Sequence, residues 1–196
     1  MIQFQDISKS YNNGEVQAVK NLSLTVASGE LFGFLGPNGA GKTTTIKIMT
    51  GLLKPDSGTI LLNGMDIKRK PLQAKRIIGY VPDEPVFYEK MTGIQFLTFI
   101  ADVFDMPQEY RRNLPELAEK FEMDTALADV VSSYSHGMRQ KLAILAALIH
   151  NPKILILDEP IVGLDPKASF MLKETLRSLC GEGKTVFFST HVMEVA

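Results

Sequence analysis

The stretch Gly36-Pro37-Asn38-Gly39-Ala40-Gly41-Lys42-Thr43 constrains this chain more than any other. It matches G-x-x-x-x-G-K-[ST] at every fixed position, a spacing whose physical use is to wrap a polyphosphate. Its glycines let the backbone turn tightly with N–H groups pointing inward, because a residue without Cβ reaches positive φ at little cost. Inward N–H groups form a nest for an anion. In such a nest Lys42 reaches the outer phosphates, the Thr43 hydroxyl ligates Mg²⁺, and the helix that follows presents its positive end to the β-phosphate. The flanks agree: Leu31 to Leu35 reads as a buried strand entering the loop, and Thr44 to Leu52 as a helix leaving it. Thr43, Thr44 and Thr45 start a helix poorly, since each β-branched residue costs up to ~0.7 kcal/mol against Ala. Three hydroxyls there read as facing phosphate and metal. The alternative is a Gly-rich turn that binds nothing.

Before the loop, residues 2 to 7 and 22 to 27 alternate apolar and polar, as strands with one solvated face do, with Asn12-Asn13-Gly14 as a turn between them. Thr59 to Leu62 and the turn Asn63-Gly64 complete an antiparallel layer, and Ile77 to Val81 is a further strand, halted by Pro82 and Pro85. From Met91 to about Val131 the pattern turns helical, with Phe96, Phe99, Ile100 and Phe104 at helical spacing and a second helix near Leu114 to Phe121. This reads as an inserted lobe that packs its own core, with Phe87 and Tyr88 outside the period and therefore exposed. Ser135 is an N-cap for an amphipathic helix through His150. Ile154 to Leu157 is apolar without alternation, as in a parallel strand covered on both sides. Leu172 to Leu179 reads as helix and Thr185 to Ser189 as the last strand. The order from residue 31 onward implies an α/β fold with a parallel sheet.

Composition narrows the function classes. The 196 residues are 45% hydrophobic and 22% charged, which supports one packed domain and argues against disorder. A net charge of −1 supplies no basic field for nucleic acid. The single Cys180 has no internal disulfide partner, in keeping with a reducing compartment. No apolar run approaches a membrane span, and residues 1 to 6 show no signal peptide. Any membrane connection is therefore expected through a partner.

Asp158 and Glu159 directly follow the apolar strand, so they emerge at its carboxyl end, where parallel sheets bind ligands. Mg²⁺ takes oxygen ligands and retains waters, so Asp158 is read as holding the ion and Glu159 as orienting or deprotonating the attacking water. The acidic pair would otherwise be a helix cap. His191 also lies just past a strand end, where a structural or idle role competes with a catalytic one.

The deciding stretch is Tyr134-Ser135-His136-Gly137-Met138-Arg139-Gln140, placed between the helical lobe and the strand of Asp158. With it the chain resembles, over nearly its whole length, the nucleotide-binding domain of ATP-binding cassette (ABC) transporters, whose L-S-G-G-Q signature matches the Ser-x-Gly core here. The resemblance implies a P-loop NTPase (RecA-like) α/β core with a parallel sheet, an N-terminal antiparallel β layer and an inserted α-helical lobe. It divides the chain into a layer and core at 1–83 and 151–196 and a lobe with the signature helix at 84–150, one ATPase domain expected to be incomplete at its C-terminal end. It implies ATP and Mg²⁺ as ligands and ATP hydrolysis as the activity, with Lys42, Glu159 and His191 catalytic. Phosphate contacts fall to Gly36, Pro37, Asn38, Gly39, Ala40, Gly41, Lys42, Thr43 and Thr44, adenine stacking to Tyr11, and metal ligation to Thr43 and Asp158. Ser135 and Gly137 would bind the γ-phosphate held by a second ATPase domain, so that two domains sandwich two ATP molecules head to tail. Val162-Gly163-Leu164-Asp165 looks like the loop that senses that partner, unless Asp165 is simply a cap before Pro166. A transmembrane permease would hold the chain at the cytoplasmic face of the cell membrane, and no nucleic-acid partner is expected.

Three departures from the family pattern stand out. Asp83 occupies the place where the family usually has a Gln that ligates Mg²⁺ and links to the permease; a carboxylate still meets the metal there. His136 and Met138 replace the usual first Gly and the Gln of the signature, and protonated His136 is expected to strengthen the contact with ATP across the dimer. The chain ends five residues past His191, where relatives usually continue. The motif mix looks most like the drug, antibiotic or bacteriocin export branch. Rival readings are a non-transport ATP switch of the translation or DNA-repair type, and a regulatory subunit that binds ATP but hydrolyses it weakly. A lone phosphate loop and near-neutral charge speak against the switch.

Overall fold

The computed structural model describes residues 1–107 and 114–191. The expected helical stretch from Met91 to Val131 therefore lies partly outside the described residues, as does the end of the chain at Ala196. Strand β1 (Ile2–Tyr11) turns through Asn12–Gly14 into β2 (Val16–Val26). All three turn residues have positive φ, which Asn and Gly tolerate best. Both strands outrun the expected segments because they form one long hairpin. Strand β1 also pairs antiparallel with β4 (Ser57–Leu62), which pairs with β5 (Met65–Asp66). Ile2, Phe4 and Ile7 are all buried although they break strict alternation. The register shifts between Phe4 and Ile7, and Asp6 has φ 50°, so a bulge returns Ile7 to the core face.

The second sheet is parallel throughout, in the order β3 (Leu31–Leu35), β8 (Thr185–Thr190), β7 (Ile154–Asp158), β6 (Ile78–Val81). Its faces serve two cores. Ile78, Ile154, Ile156 and Phe187 point to the core shared with the antiparallel sheet and with helix α1 (Lys42–Met49). Val81, Leu155, Leu157, Val186 and Phe188 point to the core shared with the helices. Covered on both faces, β7 is buried at every position, which is why its sequence shows no alternation. Phe187 anchors one face, its ring within 6.2 Å, centroid to centroid, of Phe4, Phe32 and Phe34.

Helix boundaries differ from expectation where a cap overrides periodicity. Helix α1 begins two residues earlier than expected and ends at Met49, where the Thr50 hydroxyl donates to the Ile46 carbonyl and Gly51 turns left-handed. Leu52 is exposed. A short helix α2 (Pro71–Arg76) carries no apolar period, Leu72 being exposed, and the periodicity passed it over. Helix α3 (Gly93–Val103) is opened by a reciprocal cap: Gln95 N–H donates to Thr92 Oγ1, and Thr92 N–H to Gln95 Oε1. Helix α4 spans Leu114–Lys120, and α5 spans His136–Leu148 behind its Ser135 cap. Helix α6 runs Pro166–Gly181 rather than starting at Leu172; the Asp165 carboxylate accepts from Ala168 N–H at 2.8 Å and Pro166 sets the first turn. Its buried apolar residues Ala168, Leu172 and Leu176 are four apart.

The lobe helices α3, α4 and α5 share their core with the parallel sheet. Tyr134, buried just before the α5 cap, donates its hydroxyl to the Ala126 carbonyl at 2.5 Å. Of the two aromatics expected to be exposed, Tyr88 is, in edge contact with Phe99. Phe87 instead packs edge-on against Phe96 at 5.1 Å, because the loop after Pro85 folds back over α3.

Candidate functional site

The phosphate loop links the edge strand β3 to α1. Gly36 N–H donates to the Thr190 carbonyl, which ties the loop's entrance to the end of β8. Gly41 is the N-cap of α1 with φ 84°, and a Cβ there would overlap the carbonyl oxygen of Ala18 on β2. Only glycine passes at that point. The first amides of α1 have no intrahelical acceptor, so they converge on the space the loop surrounds.

Lys42 is buried at the base of the loop, its ammonium donating to the carbonyls of Gly36 at 2.7 Å and Pro37 at 3.1 Å. It also lies 3.5 Å from Glu159 Oε1. The other carboxylate oxygen of Glu159 is 3.0 Å from His191 Nδ1. Glu159 thus joins residues from α1, the end of β7 and the end of β8. Its backbone is left-handed, φ 49°, and its N–H donates to Ser189 Oγ at 3.1 Å. That same hydroxyl donates to Asp158 Oδ1 at 2.5 Å. Asp158 is fully buried, and its Oδ2 has no hydrogen-bond partner. An unmatched buried carboxylate oxygen is costly unless a cation or water meets it.

The three threonines divide their work. Thr45 is buried and its hydroxyl turns back to the Gly41 carbonyl at 2.9 Å; Thr44 Oγ1 lies 3.3 Å from the Tyr11 hydroxyl. The expectation of three hydroxyls on phosphate and metal is thus corrected at Thr45, whose hydroxyl turns back into the helix to meet the carbonyl four residues before it. Thr43 alone stays exposed without a side-chain hydrogen bond among the described residues. Tyr11, at the end of β1, stands beside the first turn of α1 with its ring partly exposed.

Asp83, in the segment after β6, feels Asp158 and Glu159. Partial burial and those two carboxylates, with Glu84, hold its carboxyl above the usual carboxylate range, while His136 pulls it down. Tyr80, on β6, is pushed up to about 12 by burial and by Asp158 and Asp83, so its phenol stays protonated. Asp83 is therefore within electrostatic reach of Asp158 and Glu159, and Glu159 is the carboxylate that meets Lys42 and His191.

Ser135 and Gly137 sit apart from these residues. Ser135 Oγ accepts from Met138 N–H at 3.3 Å, and no hydrogen bond or ion pair joins either residue to the phosphate loop among the described residues. Ser189 is the residue that sequence reasoning passed over. Read as an ordinary strand position, it is the hydroxyl that orients both carboxylate-bearing residues, and its only sequence signal is its place two residues before His191.

The family model described as "ABC transporter" matches residues 19–162. The chain belongs to the ABC transporter family. It is 41% identical over 196 residues to the Nod factor export ATP-binding protein I of Paraburkholderia xenovorans, covering all of this chain and 64% of that protein. Among solved structures, the ATP-binding subunit of an ABC transporter superposes with a TM-score of 0.93 at 34% identity, covering 100% of this chain and 81% of that one. A dimeric ATP-binding cassette described as a post-hydrolysis state bound to ADP and Pi gives 0.86 at 28% identity, covering 100% and 90%. The chain spans about three fifths of the length of the first curated relatives it matches. The expected fold is met: a P-loop NTPase core with a parallel sheet, an antiparallel β layer and helices. Among the described residues no helix is long and apolar enough to cross a membrane.

Proposed function

We propose that this chain is the ATP-binding and ATP-hydrolysing part of a membrane transporter, acting as an exporter subunit. The observation that carries the reading is the convergence of Lys42, Glu159 and His191 beside Asp158, whose buried Oδ2 lacks a partner. ATP enters with its phosphates over the amides of residues 36 to 44 and its adenine against Tyr11. Phosphate oxygens are better acceptors for Lys42 than the carbonyls it now meets, so the ammonium shifts toward them. That leaves Glu159 held by His191 alone, positioned to orient and deprotonate water.

Asp158 and Thr43 fit Mg²⁺: one carboxylate and one hydroxyl suffice where phosphates and waters supply the remaining ligands. Bound there, the ion would neutralise charge on the phosphates. Asp83 is a further oxygen toward the same ion.

Ser135 and Gly137 open a helix whose N-terminus makes no bond to this chain's own loop among the described residues, which suits an anion held by a second copy or a related ATPase domain. The ADP- and Pi-bound dimer among the similar structures supports pairing with a second ATPase domain, which we take to be head to tail. The apolar cavity of about 330 Å³ between the Pro82–Phe87 segment and helices α3 and α5 would be where the permease partner docks. This arrangement would place the chain at the cytoplasmic face of the membrane, through the permease alone. Export follows from the likeness to the Nod factor export protein. We read residues 1–83 and 151–196 as layer and core and 84–150 as the lobe.

Glu159→Gln tests the reading. It should keep ATP binding, accumulate dimer in ATP and lose about 100-fold or more in turnover, the range for removing a general base. Turnover at the parent rate would refute the role of Glu159; absence of ATPase in the parent, with its partner present, would favour the regulatory reading.

A further inference from the structure

The loop after Glu159 is seated on the first turn of α5, and one side chain makes the joint. Gly163 has φ 81°, and a Cβ built on it would overlap Cδ2 and Nε2 of His136 and lie 3.4 Å from its Cγ. The imidazole therefore rests directly on the Gly163 backbone. A Cβ on Gly137 would come 3.2 Å from the Gly163 carbonyl oxygen, so two consecutive residues of α5 meet the same glycine. One turn further on, the buried Gln140 donates its amide to the Pro160 carbonyl at 3.2 Å. Lys141 Nζ reaches Asp165, the cap of α6, at 4.0 Å. Between these ties the loop makes two turns of its own, Val162 N–H to Glu159 O and Leu164 N–H to Ile161 O, both 3.2 Å, while Ile161 and Leu164 pack on the core beneath.

We infer that His136 is a positioning residue: its ring, packed on Gly163 of the same chain, fixes the loop that follows Glu159 and so makes the start of α5 and the Glu159 carboxylate one rigid unit. Gln140 and Lys141 hold the two ends of the loop, at Pro160 and Asp165. At its crown, the three atoms nearest to a Cβ built on Gly163 all belong to the His136 ring. Glu159 itself sits in a left-handed backbone conformation, which for a residue with a Cβ persists only where its surroundings enforce it. A ring on Gly163 supplies part of that enforcement. The role differs from a charge contact with nucleotide across a dimer, since it needs the ring's shape and not its proton. It rests on the ATPase reading only for its kinetic arm.

Two measurements test it. In hydrogen exchange, the amides of Val162 and Leu164 should exchange about tenfold faster in His136→Ala, a typical coupling between residues in contact. Amides in the interior of α5 should be unchanged. His136→Phe, which keeps a flat ring and removes the titrating nitrogens, should retain protection. In ATP turnover, His136→Ala should lower kcat about tenfold with KM for ATP within twofold of the parent, while His136→Phe stays near the parent. Gly163→Ala should lower kcat too, and the pair His136→Gly with Gly163→Ala should do better than the product of the single losses. Unchanged exchange in His136→Ala overturns the inference whatever the ATPase does. So do multiplicative losses in the double variant, or a Phe variant as impaired as the Ala variant. If the parent shows no ATPase at all, the ATPase reading fails and the exchange arm still decides this one.

Discussion

Removing one hydroxyl, Ser189→Ala, should damage the site more than any charge on its rim. Ser189 Oγ makes two bonds, giving its proton to Asp158 Oδ1 at 2.5 Å and accepting from Glu159 N–H at 3.1 Å. Both partners are enclosed, and Asp158 is fully buried with its other oxygen already unmatched. A hydrogen bond to a charged group contributes ~1.5–3 kcal/mol, and a partly buried amide left unmatched costs ~1 kcal/mol, so the variant should lose about 3 kcal/mol. For a chain near 200 residues that is about 6–12 °C in the unfolding midpoint. The functional loss should be larger than stability alone explains. Asp158 would be a carboxylate with no donor to hold it, and disrupting a bond that orients a metal ligand typically costs ~10–100-fold in metal affinity or activity. Calorimetry with and without Mg²⁺ and nucleotide separates the two effects: the midpoint falls in both, and the stabilisation by Mg²⁺ with nucleotide shrinks. In the Asp158→Asn background the stability loss should drop to roughly half, since the charge is gone. A midpoint within 2 °C of the parent (about 1 kcal/mol or less), or an undiminished loss when Asp158→Asn is already present, would refute the argument that one hydroxyl organises both residues.

Two further outcomes follow from the geometry. Gly41→Ala should abolish nucleotide binding measured by fluorescence titration while leaving the core folded by circular dichroism. Its added Cβ meets the Ala18 backbone at a left-handed position, and a nucleotide affinity within threefold of the parent, on the order of 0.6 kcal/mol, would contradict it. His150 stacks on Phe104 at 3.8 Å, its Nε2 lies 2.9 Å from the Ile78 carbonyl and its buried Nδ1 has no partner. Burial lowers its pKa, so below the ordinary histidine value of ~6.5 the unfolded chain binds more protons than the folded one and stability falls as pH falls. Denaturant titrations at pH 7 and pH 5.5 should show a smaller acid loss in His150→Gln than in the parent; equal losses would contradict it.

The place of the phosphate loop between β3 and α1, and of Asp158 and Glu159 at the end of β7, was legible in the sequence because local spacing encodes it. A glycine-rich turn between an apolar strand and a helix admits few backbone paths, and an acidic pair at a parallel strand's end has one place to go. The Ser135 cap was legible for the same reason, since a cap acts within one helical turn. Asp165 carried an equally local signal, yet apolar periodicity placed the start of α6 at Leu172, one and a half turns too late. Periodicity also overlooked α2, whose outward leucine gives it no buried stripe. The third threonine was misread because the acceptor of its hydroxyl, the Gly41 carbonyl, is a backbone atom that sequence patterns do not display.

Sequence by itself determined the fold class and the family, and it pointed to a phosphate-binding loop between β3 and α1. The tertiary structure alone decided what the elements do to one another. Ser189 orients Asp158 and Glu159 because β7 and β8 pair in a register that sets Asp158 opposite Ser189. His136 lies on Gly163 because α5 packs beside the loop leaving β7. Register and packing are settled by burial on both faces of the sheet, a free energy summed over the whole core. No short window of sequence contains it.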